Sequence, residues 1–309
     1  MSQFETHRAK VGSIELTYDL FGDIERGRPL VLIMGIGAQR VLWDDRMCDL
    51  FAEAGFCAVR FDHRDIGEST QIDAPVPDPR RVLLRRMFNA KVDAPYTLSD
   101  MAGDVAGLID ALGFGSAHVV GVSLGGMVGQ HLAIEHPARV RTLTSIMSSP
   151  GARRYLPEPR ALLALFRPQP KTAEEAGLQV EQTFRTIGST AWPVDGARLR
   201  RLGEIAYHRG TSPRGFLRHF AAVMASGDRR ARLEKVKVPT LVIHGSSDPM
   251  FPIRAGRDLA QLMPDATWLP IAGMGHDLPA PLWPTLVAAI ARHAERADAR
   301  THAAARLAR

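Results

Sequence analysis

Cysteine and lysine are both scarce in this chain of 309 residues. The two cysteines, Cys48 and Cys57, sit in or beside apolar segments and have neither metal-ligand nor redox spacing. That argues against a disulfide framework and against a metal site, and predicts buried free thiols. Five of the 39 basic residues are lysine, at positions 10, 91, 171, 235 and 237; the others are arginines scattered through an alanine-rich sequence. The net charge of +6 therefore reads as a solvated surface. No basic cluster interleaved with aromatics and no nucleic-acid module is legible, so no nucleic-acid partner is expected. Long apolar runs are missing as well. No window approaches the length of a membrane span, and Met1 to Lys10 has no apolar signal-like stretch, so no membrane partner is expected and a cytoplasmic location follows.

What is present is an ordinary globular composition, 45% hydrophobic and 23% charged, long enough for one large domain with an inserted lobe. Its most informative stretch is Val119-Val120-Gly121-Val122-Ser123-Leu124-Gly125-Gly126. A serine fenced by glycines between a buried strand, Ala117 to Val122, and a helix, Leu124 to Glu135, reads as a nucleophile elbow. The glycines leave out the Cβ atoms that would clash where strand and helix close on one another.

Along the chain, alternation over residues 9 to 21 predicts a half-buried edge hairpin. Ile14, Leu16, Tyr18 and Leu20 face one way, and Glu15, Thr17 and Asp19 the other. Leu30 to Ile33 reads as a buried strand feeding the glycine-rich loop Met34-Gly35-Ile36-Gly37. A helix from Trp43 to Ala54 and a strand from Cys57 to Phe61 follow. The polar loop Asp62 to Thr70 is read as structural, with its carboxylates and arginine satisfying one another. Residues 73 to 96 read as a surface helix rich in arginine or as a flap. Ser99 is the expected N-cap of a helix ending at Gly113. After a strand ending at Met147, residues 150 to 234 are helical in pattern and broken by prolines. Strands resume at Pro239 to Gly245 and Thr267 to Ile271, and a last helix spans Pro281 to His293. The expected fold is α/β: a mostly parallel sheet with an antiparallel N-terminal edge and an inserted helical cap. The division is residues 1–149 and 235–293 for the core, 150–234 for the cap, and 294–309 for a frayed or disordered tail.

A serine needs a base and an acid, and in such sheets they follow in the order serine, acid, histidine, in loops after later strands. Asp248, beyond the strand ending at Gly245, and His276, in Gly273-Met274-Gly275-His276, fill those places; Asp265 and Asp277 are the other acids available. His244, inside an apolar strand, reads as a core residue. The backbone N–H groups of Leu124 and Ile36 are the expected oxyanion donors. Trp43, Met127, Phe216, Phe220, Met224, Met250 and Phe251 are the candidate substrate-binding residues, and their apolar character predicts a neutral small-molecule ester.

Four segments carry a family resemblance: Leu32-Ile33-Met34-Gly35, Arg60 through Ser69, Tyr96-Thr97-Leu98 and Gly121 through Gly126. With them the chain resembles the α/β-hydrolase family over residues 9 to 293, in the branch that includes aclacinomycin methylesterase. The resemblance implies a carboxylic ester hydrolase with a helical cap and no cofactor. It departs from many relatives at Met34, where they carry a histidine before the oxyanion-loop glycine. A cofactor-free perhydrolase or haloperoxidase uses the same triad, and a slow-turnover ligand receptor can be built on the same fold; both stay open. Epoxide hydrolases and dehalogenases need a carboxylate where this chain has Ser123.

Overall fold

The computed structural model describes residues 6–88 and 90–307; positions 1–5 of the N-terminal segment and 308–309 of the expected tail lie outside the described residues. An antiparallel hairpin, β1 (His7–Val11) and β2 (Ile14–Phe21), turns at Gly12, whose φ of 57° suits glycine. Then come β3 (Arg28–Ile33), α1 (Asp45–Glu53), β4 (Phe56–Phe61), α2 (Pro79–Met87), α3 (Leu98–Ala111), β5 (Ala117–Val122), α4 (Leu124–Glu135) and β6 (Val140–Ile146). Five helices separate β6 from the next strand: α5 (Pro159–Leu165), α6 (Ala173–Ile187), α7 (Gly196–His208), α8 (Pro213–Ser226) and α9 (Arg230–Leu233). β7 (Thr240–Gly245), α10 (Ile253–Leu262), β8 (Ala266–Ile271) and α11 (Trp283–Leu307) complete the chain.

The eight strands form one sheet in the order β1-β2-β4-β3-β5-β6-β7-β8, parallel from β4 to β8. Strands β3, β4, β5 and β7 are apolar enough to be buried on both faces. One face packs under α3, α4 and α10, and the other under α1 and α11. The chain winds from β3 outward to β4, then returns across β3 to β5. The crevice at their carboxyl ends is thus the topological switch point, where such sheets hold their ligands.

Four expectations are corrected. The polar side of β2 is not solvated. Thr17 and Asp19 are fully buried, and Asp19 pairs with the buried Arg40 and Arg60, so charge pairing replaces water on that face. The helix expected from Trp43 begins at Asp45. Asp44 caps it by accepting from the Arg46 N–H, and Trp43 stays in the core. Thr97, not Ser99, caps α3, through a reciprocal box with Asp100. The last helix does not end at His293 but continues to Leu307, because Ala294 and Ala297 still find burial along it.

Candidate active site

Ser123 stands between β5 and α4 with φ 55° and ψ −117°, a backbone state that costs a non-glycine residue about 1–3 kcal/mol. The surroundings enforce it. The Ser123 N–H donates to Ile146 O (3.0 Å), and Ser148 Oγ donates to Ser123 O (2.8 Å). A Cβ on Gly121 would lie 2.2 Å from Gly125 O, and one on Gly125 would lie 2.1 Å from Ile33 O. Only glycine allows the strand, the helix and the neighbouring loop to close that far.

His276 lies in the loop after β8. Its Nε2 is 2.9 Å from Ser123 Oγ, and its Nδ1 is 2.9 Å from Asp248 Oδ2. Asp248, in the loop after β7, is buried and accepts N–H bonds from Met250 (2.8 Å) and Phe251 (3.0 Å) on its other oxygen. Burial opposes its charge, but the facing His276 and His244, together with their hydrogen bonds, hold its pKa well below the usual carboxylate range. The alternative acids are engaged elsewhere: Asp277 accepts from Ser189 Oγ (2.5 Å), and Asp265 pairs with Arg300. His244 is indeed buried in β7, yet it is not remote from the site. Its Nε2 lies 2.9 Å from Phe251 O and 3.4 Å from Asp248 Oδ2, so it buttresses the loop that carries Asp248.

Facing Ser123 is the loop after β3. A Cβ on Gly35 would stand 3.6 Å from Ser123 Cβ, so the missing side chain keeps the space beside the hydroxyl clear. Leu124 is the first residue of α4, and its N–H has no acceptor within the helix. Ile36 lies inside the loop, which two buried histidines clamp. His63 Nε2 donates to Met34 O (3.1 Å), and His219 Nδ1 accepts from the Gly37 N–H (3.4 Å) while its Nε2 donates to Arg64 O (3.0 Å). Burial lowers the pKa of His63 to about 3 and that of His219 to about 4, so both rings are neutral near pH 7 and His219 can accept. The loop that lacks a histidine at position 34 is thus held by two histidines from outside it. Sequence reasoning passed over both. His63 lay in a loop already read as structural, and His219 lies on a helix whose register against the loop no local pattern reveals.

A cavity of about 920 Å³ opens over Ser123 and His276, walled by apolar side chains of α6, α7 and α8 such as Val180, Leu202 and Phe216. Of the seven candidate substrate residues, Phe216 and Met250 line it. The other five do not. Trp43 and Met127 are core residues on opposite faces of the sheet. Phe220 and Met224 pack beneath α2 with Val82, because each four-residue step turns a helical stripe by roughly 40° away from the cavity. Phe251 packs against the core and spends its backbone on Asp248 and His244. The lining also includes Arg167, Arg198, Asp44, Asp195 and Asp277; Arg198 pairs with Asp44 at 3.3 Å, whereas Arg167 donates to Gln182 Oε1 at 2.7 Å and has no carboxylate partner among the described residues. Arg218, a potential cation near the aromatic stripe, is instead buried against Asp65 and Ala74 O. No cluster of metal-ligating side chains occurs among the described residues.

A sheet of this topology with a serine elbow at its switch point defines an α/β hydrolase. The α/β-hydrolase fold family model matches residues 28–279, and the chain belongs to that family. Within it, the chain is similar to rhodomycin D methylesterase of Streptomyces peucetius, with 28% identity covering 87% of this chain and 91% of that protein. It is also similar to a putative carbamate hydrolase of Caulobacter vibrioides, with 29% identity over the same shares of the two chains. Among solved structures, the 2-hydroxy-6-oxo-6-phenylhexa-2,4-dienoate hydrolase of a Rhodococcus species superposes with a TM-score of 0.74 at 18% identity, covering 94% of this chain and 98% of that one. The enol-lactonase of Burkholderia xenovorans gives 0.69 at 23%, covering 93% and 99%. These structural likenesses concern the fold.

Proposed function

We propose that the protein is a serine-dependent carboxylic ester hydrolase that works through an acyl-enzyme on a small, neutral and largely apolar molecule. The observation that carries the reading is the unbroken line from Ser123 Oγ through His276 to Asp248, each link 2.9 Å long. In this mechanism Ser123 Oγ attacks the ester carbonyl carbon as its proton passes to His276 Nε2. The carbonyl electron pair moves onto oxygen, where the N–H groups of Leu124 and Ile36 receive it. Collapse of the adduct breaks the bond to the alcohol, which leaves with the proton from Nε2. Water then repeats the sequence on the acyl-enzyme and frees the acid. Asp248 keeps the proton of the resting imidazole on Nδ1 and stabilises the imidazolium. No cofactor is required.

Residues 150–234 serve as the cap of this enzyme over the core of 1–149 and 235–293. The mostly apolar lining of the cavity supports a neutral substrate; of its two arginines, Arg198 is paired with Asp44 and Arg167 donates to Gln182 Oε1. The relatives named as a methylesterase and a putative carbamate hydrolase support hydrolysis of an acyl–heteroatom bond. A broad phosphonate probe tests the reading: it is expected to label wild-type protein on Ser123 and to spare the Ser123→Ala variant. Size-matched esters, neutral against anionic, are expected to differ in kcat/KM in favour of the neutral ones. Absence of labelling, or preference for the anionic series, overturns it.

A further inference from the structure

Helix α2 is mounted with its apolar side outward. At roughly 100° per residue, Val82 points into the protein, and Leu84 and Met87 fall on the opposite side, with Leu83 and Phe88 flanking them. The burial agrees: Val82 is 4% exposed, whereas Met87 is 64% and Phe88 72% exposed. Val82 is the one buried residue of the helix, in a cluster with Phe220 and Ala221 of α8. An amphipathic helix of a globular protein normally buries its apolar stripe, and isolated exposed leucines are common, but four large apolar side chains on nine or ten consecutive positions form a patch.

The rim of this patch is cationic. Arg80, Arg81, Arg85 and Arg86 flank the apolar side chains. Arg153 joins them, its guanidinium donating to Met87 O, and Arg86 donates to Gly151 O in the same segment. Leu156, three residues beyond Arg153, is also strongly exposed. The acids nearby are committed, Asp78 to capping the helix and Asp93 to Arg85. Arg80, Arg81 and Arg153 have no carboxylate partner among the described residues.

We propose that this face docks on an anionic lipid surface, inserting Leu84, Met87 and Phe88 below the headgroups while the arginines meet their phosphates. Charge complementarity favours that occupant. A second copy on the same face would set arginine against arginine across a two-fold axis, whereas a lipid interface supplies both an apolar layer and fixed negative charge. The expectation that no membrane is a partner rested on the lack of a spanning segment, and a helix lying in the interface needs none. The far side of α2 rests on α8, whose Phe216 and Leu217 line the cavity. Docking would thus hold the cavity wall close to a reservoir of lipophilic solutes.

The test is sedimentation of the full-length protein with vesicles of phosphatidylcholine alone and with vesicles containing about one-third phosphatidylglycerol. Binding is expected only to the anionic vesicles, and is expected to fall as salt rises from about 0.05 to 0.5 M. The pair Leu84→Ser and Met87→Ser, on exposed positions, should weaken it at least tenfold, and Arg80→Gln with Arg81→Gln severalfold. Hydrolysis of a water-soluble ester should be unchanged in both, so loss of docking is separable from loss of the proposed activity. Failure to bind anionic vesicles, binding untouched by the leucine and methionine substitutions, or a dimer by light scattering that those substitutions dissolve would each overturn the proposal.

Discussion

The two sides of the cavity are fastened by different means. On the sheet side the chain fixes itself through backbone. Ser123 is hung on Ile146 O, Asp248 is cradled by two amides, and Gly121 and Gly125 close main chain on main chain. The inserted helices are moored mostly by long polar side chains. Gln39 Nε2 donates to Ala206 O and Gly210 O (both 2.8 Å), Arg209 reaches Asp62, Arg218 reaches Asp65, and His219 holds Gly37. Backbone bonds join the insertion to the core at two places: Ile187 O accepts from the His276 N–H (2.7 Å) with Gly273 O accepting from the Thr190 N–H (2.8 Å), and the Glu158 N–H donates to Pro249 O (2.8 Å). Backbone moorings survive most substitutions, whereas a side-chain mooring depends on one residue. The lesson is that the Ser123–His276–Asp248 line stands mostly on main-chain support, which substitution disturbs least, and the shape of the cavity mostly on side-chain support, which substitution can remove.

The contrast is sharpest at Ser123, the proposed nucleophile. Ser123→Ala is expected to lower kcat on the order of 10⁴-fold or more with the thermal transition unmoved, read by ester turnover beside calorimetry. Asp248→Asn is expected to cost about 10³–10⁴-fold, since an amide favours the wrong tautomer and cannot stabilise the imidazolium; near-normal turnover would remove Asp248 from the acid's role. His219 probes the boundary between the two sides. Glutamine keeps the donor to Arg64 O but loses the acceptor for Gly37, while asparagine keeps an acceptor where Nδ1 stood. His219→Gln should lower kcat by about tenfold at unchanged KM, and His219→Asn should recover much of it. Equal losses in both would make His219 a packing residue only.

Among the helices, Phe216→Ala should shift kcat/KM between bulky and small esters by about tenfold. Phe220→Ala should leave that ratio alone and lower stability by about 3–5 kcal/mol, measured by denaturant unfolding. The remaining effect is a pH slope. His63 and His219 are neutral in the fold down to about pH 3 and 4, against an ordinary 6.5 when unfolded. Between those values the unfolded chain binds more protons, so stability rises with pH there. The contribution is complete above pH 6.5 and is lost as pH falls to about 4 for His219 and about 3 for His63; His219→Gln should make that slope shallower in a melting-temperature profile.

The same division governs what could be read from the sequence. Elements whose geometry follows from local rules were legible. The strand Ala117 to Val122 and the helix Leu124 to Glu135 matched to the residue, because valine runs and glycine spacing speak within a few positions. The helices of the insertion were also legible as helices, since Ala173 to Ile187 is periodic. Their facing was not. Phe216, Phe220 and Met224 read as one stripe, yet only Phe216 meets the cavity, because register against a neighbour is set by distant pairs such as Arg218 with Asp65. The burial of Asp19 and Thr17 was hidden for a similar reason: the arginines that neutralise that face come from positions 40 and 60.

Gly215 carries one further consequence. A Cβ there would lie 2.1 Å from Asp65 O, so α8 rests bare against the main chain of the loop after β4. Asp65 itself has a positive φ of 69° and shares its carboxylate between Tyr96 and Arg218. The joint is therefore a lock with parts on both halves. A foreign set of helices spliced between β6 and β7 would need a glycine and an arginine three residues apart, in that order, before it could seat. Chimeras that respect this spacing inherit the support of the Met34–Gly37 loop along with the new cavity, and those that ignore it inherit neither.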